Sequence, residues 1–132
     1  MVTIPDSFLD LLHDKKALAQ LATILPDGSP HVTPVWFDMA EGKIRVNTVR
    51  GRIKARNMIR DPRVALSIAD PDNPDRYLHI RGRVMRITEE GALAHNNALT
   101  RKYMGLEIYP HDRPGDVHVI YEIEPLAVHG FG

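Results

Sequence analysis

From Ala17 onward the chain is cut into short apolar runs by turn-forming residues, a rhythm that favours antiparallel strands. Ala17 to Ile24 ends at Pro26-Asp27-Gly28-Ser29, whose proline and glycine suit a tight turn into a neighbour running from His31 to Asp38. Pro34 removes a ladder donor in the middle of that neighbour. The strand therefore belongs at a sheet edge or carries a bulge, and its backbone there can face a ligand. Beyond the Glu41-Gly42 turn, Ile44-Arg45-Val46-Asn47-Thr48 alternates with the period of two expected of a half-buried strand. Val64 to Ala69 gives another strand. Tyr77 to Thr88 gives a long one whose apolar register slips near Val84 and Met85, the mark of a bulge or a barrel bend. In the last strand Val117, Val119, Tyr121 and Ile123 alternate with His118, Ile120, Glu122 and Glu124.

Three helices interrupt this pattern. Asp6 or Ser7 can cap a short first helix through Leu12. Arg52 to Arg60 reads as a second, stopped by Asp61-Pro62 because proline disfavours helical geometry in the residue before it, and Glu89 to Tyr103 as a third. Asp70-Pro71-Asp72-Asn73-Pro74-Asp75 is expected to be an irregular loop. It resembles a calcium loop only superficially, since Pro74 occupies a ligand position, Asp75 replaces the turn glycine and Arg81 stands where a closing glutamate belongs. About six strands joined mostly by tight turns predict a mainly β fold, an antiparallel barrel, built as one domain of 132 residues.

Composition narrows the function. No apolar run approaches the roughly 18 residues of a membrane span, and the first sixteen residues lack the pattern of a secretory signal. With no cysteine, disulfides, iron–sulfur clusters and thiol catalysis are excluded, and a soluble, cytoplasmic protein is expected. The seven histidines show none of the short zinc-ligand spacings, so no metal is expected, and Ser7, Ser29 and Ser67 lack a nucleophile-elbow context. An enzyme built this way would rely on a bound organic cofactor. No catalytic acid or base is singled out.

The sharpest local feature is Arg50-Gly51-Arg52-Ile53-Lys54-Ala55-Arg56-Asn57, at a strand-to-helix junction within a stretch from Lys43 to Arg60 that contains no acid. Glycine allows close backbone approach, helix N–H groups point outward, and the dipole adds positive charge, a pattern suited to phosphate. The same arginines can also form a solvated face or pair with distant acids. Nucleic acid is not the expected partner: net charge is zero and only 6% of residues are aromatic, too few for a base-stacking platform. A second feature is Thr33-Pro34-Val35-Trp36-Phe37, where backbone groups freed by proline and the chain's one tryptophan could hold a planar ring. Core or interface packing is the plainer role for that tryptophan.

Taken in order, Leu21-Ala22-Thr23, Asp27-Gly28-Ser29-Pro30, Pro34-Val35-Trp36-Phe37, Asn47-Thr48, Lys54-Ala55-Arg56-Asn57 and Asp61-Pro62-Arg63-Val64 resemble the pyridoxamine 5′-phosphate oxidase-like split-barrel flavoproteins, in particular their deazaflavin (coenzyme F420)-dependent branch. Tyr77 to Val84, Arg101-Lys102-Tyr103-Met104-Gly105 and Ile123-Glu124-Pro125 agree with it. The resemblance implies a six-stranded split β-barrel of the FMN-binding type and a homodimer with two cofactor sites at its interface. It also implies a cofactor phosphate held by Arg52 and Lys54 with help from Thr48 and Asn57, and a ring lying along Pro34, Val35 and Trp36, and Arg56 is expected among the cofactor-binding residues. Tyr77, His79 and Tyr103 are expected as walls from the other subunit. The implied chemistry is hydride transfer between reduced coenzyme F420 and a small electron-poor acceptor. FMN is the alternative cofactor, and a non-catalytic flavin or haem carrier the alternative role. Vitamin B6 oxidation is not expected, because no arginine follows Arg113 where such enzymes carry an arginine-rich end.

Overall fold

The computed structural model of the chain describes residues 2–132. A 3-10 turn, Asp6–Phe8, leads into α1, Leu9–His13, whose Leu11 and Leu12 are fully buried. Seven strands follow: β1 Ala19–Ile24, β2 Pro30–Val35, β3 Phe37–Ala40, β4 Lys43–Val49, β5 Arg63–Asp70, β6 Asn73–Thr88 and β7 His118–Phe131. Helix α2, Ile53–Arg60, joins β4 to β5, and α3, Ala92–Met104, lies between β6 and β7. The strands form one antiparallel sheet in the order β2-β1-β5-β6-β7-β4-β3.

That order dictates the shape. β2 and β3 are the two opposite edges, yet only Trp36 separates them in the chain. Seven flat strands at about 4.8 Å spacing would hold their edges about 29 Å apart, whereas two residues reach about 7 Å. The sheet is therefore rolled into a barrel that closes at Trp36 and splits beyond it. The expected His31 to Asp38 strand is thus two strands, which raises the count from six to seven: β2 pairs with β1, and β3 turns away to pair with β4. Pro34 lies on the edge strand, where its missing N–H leaves no partner strand unsatisfied.

Two other expectations change. Asp70 to Asp75 is not an irregular loop, because Pro71 and Asp72 alone make the turn and β6 begins at Asn73. Asp70 accepts the Asp72 N–H at 2.9 Å, closing the turn, and Pro74 falls where the ladder shifts register. β7 runs on past Glu124 to Phe131, pairing with β6 as far as Tyr77. Pro125 fits inside this long strand because it faces Gly82 at a register shift; a second shift lies between Val84 and Arg86, where the sequence pattern slips. The barrel interior is filled by Phe37, Ile44, Leu66, Ile68, Leu78, Ile80, Tyr121 and Ile123, each at most 1% exposed. Among the described residues no helix is long and apolar enough to cross a membrane.

Candidate functional site

The site is built where β4 hands over to α2. Gly51, at φ +93°, lets the chain reverse, a geometry that strains any residue with a side chain. Arg52 caps α2 in extended geometry without a side-chain hydrogen bond, leaving the first-turn N–H groups without a capping side chain. The cations of the Lys43 to Arg60 stretch then sort themselves. Arg45 is held by Asp38 at 2.7 and 2.9 Å, Arg50 pairs with Glu89, and Arg60 donates to the Ile24 carbonyl and Asn57 Oδ1 at 2.7 Å each. Among the described residues Arg52 and Lys54 form no ion pair.

Both line a cavity of about 300 Å³, together with Pro34, Val35, Trp36, Asn47, Thr48, Val49, Asn96, Leu99, Tyr109 and His118. Burial, and secondarily the neighbouring Arg52, push the Lys54 ammonium below the ordinary lysine range. A half-buried cation beside a like charge and without an acid is compensated when an anion binds.

An aromatic corner forms another wall. Trp36 stacks on Tyr103 with ring centroids 5.2 Å apart and planes 3° from parallel, and Tyr109 meets it edge-on at 5.8 Å and 89°. The Tyr103 hydroxyl donates to the Ala17 carbonyl at 2.7 Å, and burial pushes its pKa up to about 12, so it stays protonated and props Trp36 from behind.

The polar wall is a chain of hydrogen bonds through two histidines. His95 Nε2 lies 3.0 Å from Asp38 Oδ1, and His95 Nδ1 lies 3.1 Å from Asn47 Nδ2, which also donates to the Ala92 carbonyl at 2.8 Å. Asn47 Oδ1 faces His118 Nδ1 at 2.8 Å, and His118 Nε2 lies 2.9 Å from both carboxylate oxygens of Asp112. Burial alone would raise the Asp38 carboxyl, but the hydrogen bonds from His95 and Arg45 outweigh it and hold the group below the usual carboxylate range. Asn96 is buried in the same wall, and its Nδ2 has no hydrogen-bond partner among the described residues.

The cavity brings together Pro34, Val35, Trp36, Thr48, Arg52 and Lys54. Five other residues singled out from sequence lie outside it. Arg56 is exposed on α2, and Asn57 is buried with its amide donating to Thr23 Oγ1 at 3.0 Å. Tyr77 stacks on Phe131 at 5.7 Å, and His79 is exposed on β6. Tyr103 stands behind Trp36 of its own chain. Sequence reasoning did not find Asn47, Val49, Asn96, Leu99, Tyr109 or His118. Period two already sets Asn47 and Val49 on one face of β4, a usable signal; nothing local marks Asn96, Tyr109 or His118 as neighbours of that face.

A sheet rolled until its two edges meet at Trp36, with a cationic cavity beside the seam, defines a split β-barrel protein. The profile of the pyridoxamine 5′-phosphate oxidase family matches residues 4–130, and the chain belongs to that family. Among solved structures it is similar to an F420 reductase at 34% identity and TM-score 0.82, over 96% of this chain and 98% of that one. It is also similar to a conserved hypothetical protein of Mycobacterium tuberculosis, at 26% identity and TM-score 0.76 over 98% and 86% of the two chains. A putative pyridoxamine 5′-phosphate oxidase of Listeria innocua, at 19% identity and TM-score 0.71 over 96% of each chain, shares the fold. No curated protein matches the chain.

Proposed function

We propose that the protein is a coenzyme F420-dependent oxidoreductase that acts on a small electron-poor organic acceptor and works as a homodimer. The observation that carries this reading is the pair Arg52 and Lys54, cationic, without acids and one of them half-buried, in a single cavity with Trp36. Such a cavity suits a ligand with a phosphate at one end and a planar ring at the other. Membership of an oxidase family and the 34% identity to an F420 reductase support the chemistry and favour the deazaflavin over FMN. When bound, the coenzyme supplies or accepts hydride.

The chain's own part is positioning. Arg52, Lys54, Thr48 and the first-turn N–H groups of α2 hold the phosphate, while Pro34, Val35, Trp36 and Tyr109 orient the ring and exclude water. Arg56, Tyr77 and His79, outside this cavity, face the partner subunit's site in this reading. Asn57 supports α2 from beneath. In this reading a second copy packs on the largely apolar depression lined by Ala22, Ile24, Val64, Ala65, Leu126 and Ala127, which Arg63 and Arg81 also line.

The test is a parallel fluorescence titration of the cofactor-free protein with coenzyme F420 and with FMN, followed by oxidation of the reduced coenzyme with enones and quinones as acceptors. Saturable binding of F420 with acceptor-dependent turnover is expected. Preference for FMN moves the protein to the flavin-dependent oxidoreductases; binding without turnover leaves a carrier.

A further inference from the structure

The hydrogen-bond chain through the cavity wall fixes how Asn47 is turned and what each of two histidines faces. Asn47 Nδ2 is 2.8 Å from the Ala92 carbonyl oxygen, so that end of the amide must be the donor, and its second N–H points at His95 Nδ1. In that orientation His95 Nδ1 is placed to accept and Nε2–H to donate to Asp38. The other end of Asn47 is necessarily the carbonyl, an acceptor, and His118 Nδ1 must donate to it. His118 Nε2 faces a carboxylate, which only accepts. Both nitrogens of His118 thus face acceptors, an arrangement that a doubly protonated ring satisfies at both ends, and its side chain is 8% exposed.

Its counter-ion sits on the loop of residues 105–116 between α3 and β7. That loop carries Tyr109, the edge-on neighbour of Trp36. Its own bonds are few. A turn between Arg113 and Asp116 closes its end, and Glu107 approaches exposed Arg101 at 3.6 Å. Apart from these and the Gly105 N–H on the Arg101 carbonyl at 3.1 Å where the loop leaves α3, the polar tether to the rest of the described protein is Asp112 on His118, while Leu106 and Ile108 are exposed at 44% and 71%.

We propose that His118 is the positioning residue of this wall: as an imidazolium clasped by Asp112 it holds the 105–116 loop, and with it Tyr109, against Trp36. The wall then depends on one proton. Once that proton leaves, the neutral ring has a single N–H for two acceptors, Asn47 Oδ1 and the Asp112 carboxylate, so the charge-assisted clasp weakens and the loop loosens. Other charged and titratable groups surround the ring. Arg52 and Lys54 share its cavity and oppose its positive charge, Tyr109 and His111 belong to the loop itself, and His95 reaches it only through Asn47. Asp112 is the group that favours the charged ring. If the cavity is the coenzyme site, as proposed above, this clasp sets how open the site is to an acceptor, but the clasp itself does not require that reading.

The experiment uses the full chain without coenzyme, so its outcome is separate from that of the binding titration. Trp36 is the only tryptophan, and its emission and acrylamide quenching report on Tyr109 directly. They are followed from about pH 5 to about pH 9, across the range where imidazoles titrate, while imidazole nitrogen NMR follows His118. The expected result is a doubly protonated His118 at the acid end and a single transition on raising pH, with Trp36 quenching increasing at least about twofold as its ring loses cover. Asp112→Asn, in an exposed loop, and His118→Gln, which keeps one donor but no charge, are each expected to remove the transition and give high-pH quenching throughout. A transition unchanged in Asp112→Asn, no transition in the wild type, or a neutral His118 at the acid end overturns the proposal.

Discussion

Replacing Lys54 with methionine separates a binding role from a structural one, because the two effects carry opposite signs. The ammonium is half-buried, shares its cavity with Arg52 and meets no acid among the described residues, and burial already holds its pKa below the ordinary lysine range. In the ligand-free protein an unbranched apolar side chain removes that uncompensated charge, so the thermal midpoint is expected to hold or rise. With the coenzyme, a charge-assisted hydrogen bond to phosphate disappears. Such a bond contributes about 1.5 to 3 kcal/mol, an affinity loss of about 10- to 150-fold. Calorimetric titration with FMN and coenzyme F420, beside thermal denaturation of the free protein, measures both arms. The pH dependence follows the same logic. A lowered lysine loses its proton below the ordinary value of about 10.5, so affinity falls as pH rises into that window. Stability of the free fold rises over the same window, because the charged form is the disfavoured one. Unchanged affinity together with a lower midpoint in Lys54→Met would refute the phosphate assignment and make Lys54 a structural residue.

Three further outcomes are expected. In Gly130→Ala the new methyl would stand 2.6 Å from Phe8 Cζ, a rigid ring that also carries Arg76 over its face, so denaturant midpoints should show a loss of about 1 to 3 kcal/mol. Asp70 is held at about 2, chiefly by its hydrogen bond from Lys15 and then by the Asp72 N–H and Arg76. Its contribution is present above the ordinary carboxylate value and lost as pH falls toward about 2, so Asp70→Asn should flatten the acid limb of stability against pH, and an identical limb would exclude this network. Asn57→Ala strips the buried Thr23 hydroxyl of its donor and should cost about 1 to 3 kcal/mol while leaving coenzyme affinity intact; a lost affinity at full stability would place Asn57 on the phosphate instead.

Much of the architecture was legible because its signals are local. Turn residues at Pro26 to Ser29 and at Glu41-Gly42 mark hairpins wherever they occur, and period two in Ile44 to Thr48 reports a face against a core without naming its neighbours. The acid-free stretch at Gly51 likewise marked a cationic helix start, since a helix start with nearby cations needs only adjacent residues. Where tertiary pairing decided the outcome, the sequence fell short. Nothing between His31 and Asp38 says that Val35 and Phe37 pair with different strands. Only the closing of the sheet makes Trp36 a seam, and only the long β6–β7 ladder carries β7 to Phe131.

The sequence by itself determined the antiparallel strands, the edge position forced by Pro34, and a group of cations free to meet an anion. The tertiary structure decided which cations remained free, sending Arg45 to Asp38 and Arg50 to Glu89 while leaving Arg52 and Lys54 in the cavity. It also brought Asn47, Asn96, Tyr109 and His118 to one wall from β4, α3, a loop and β7. The physical reason is range: propensity and periodicity act over a few residues, whereas a counter-ion or a hydrogen-bond partner is chosen by whatever the rolled sheet places within about 3 Å.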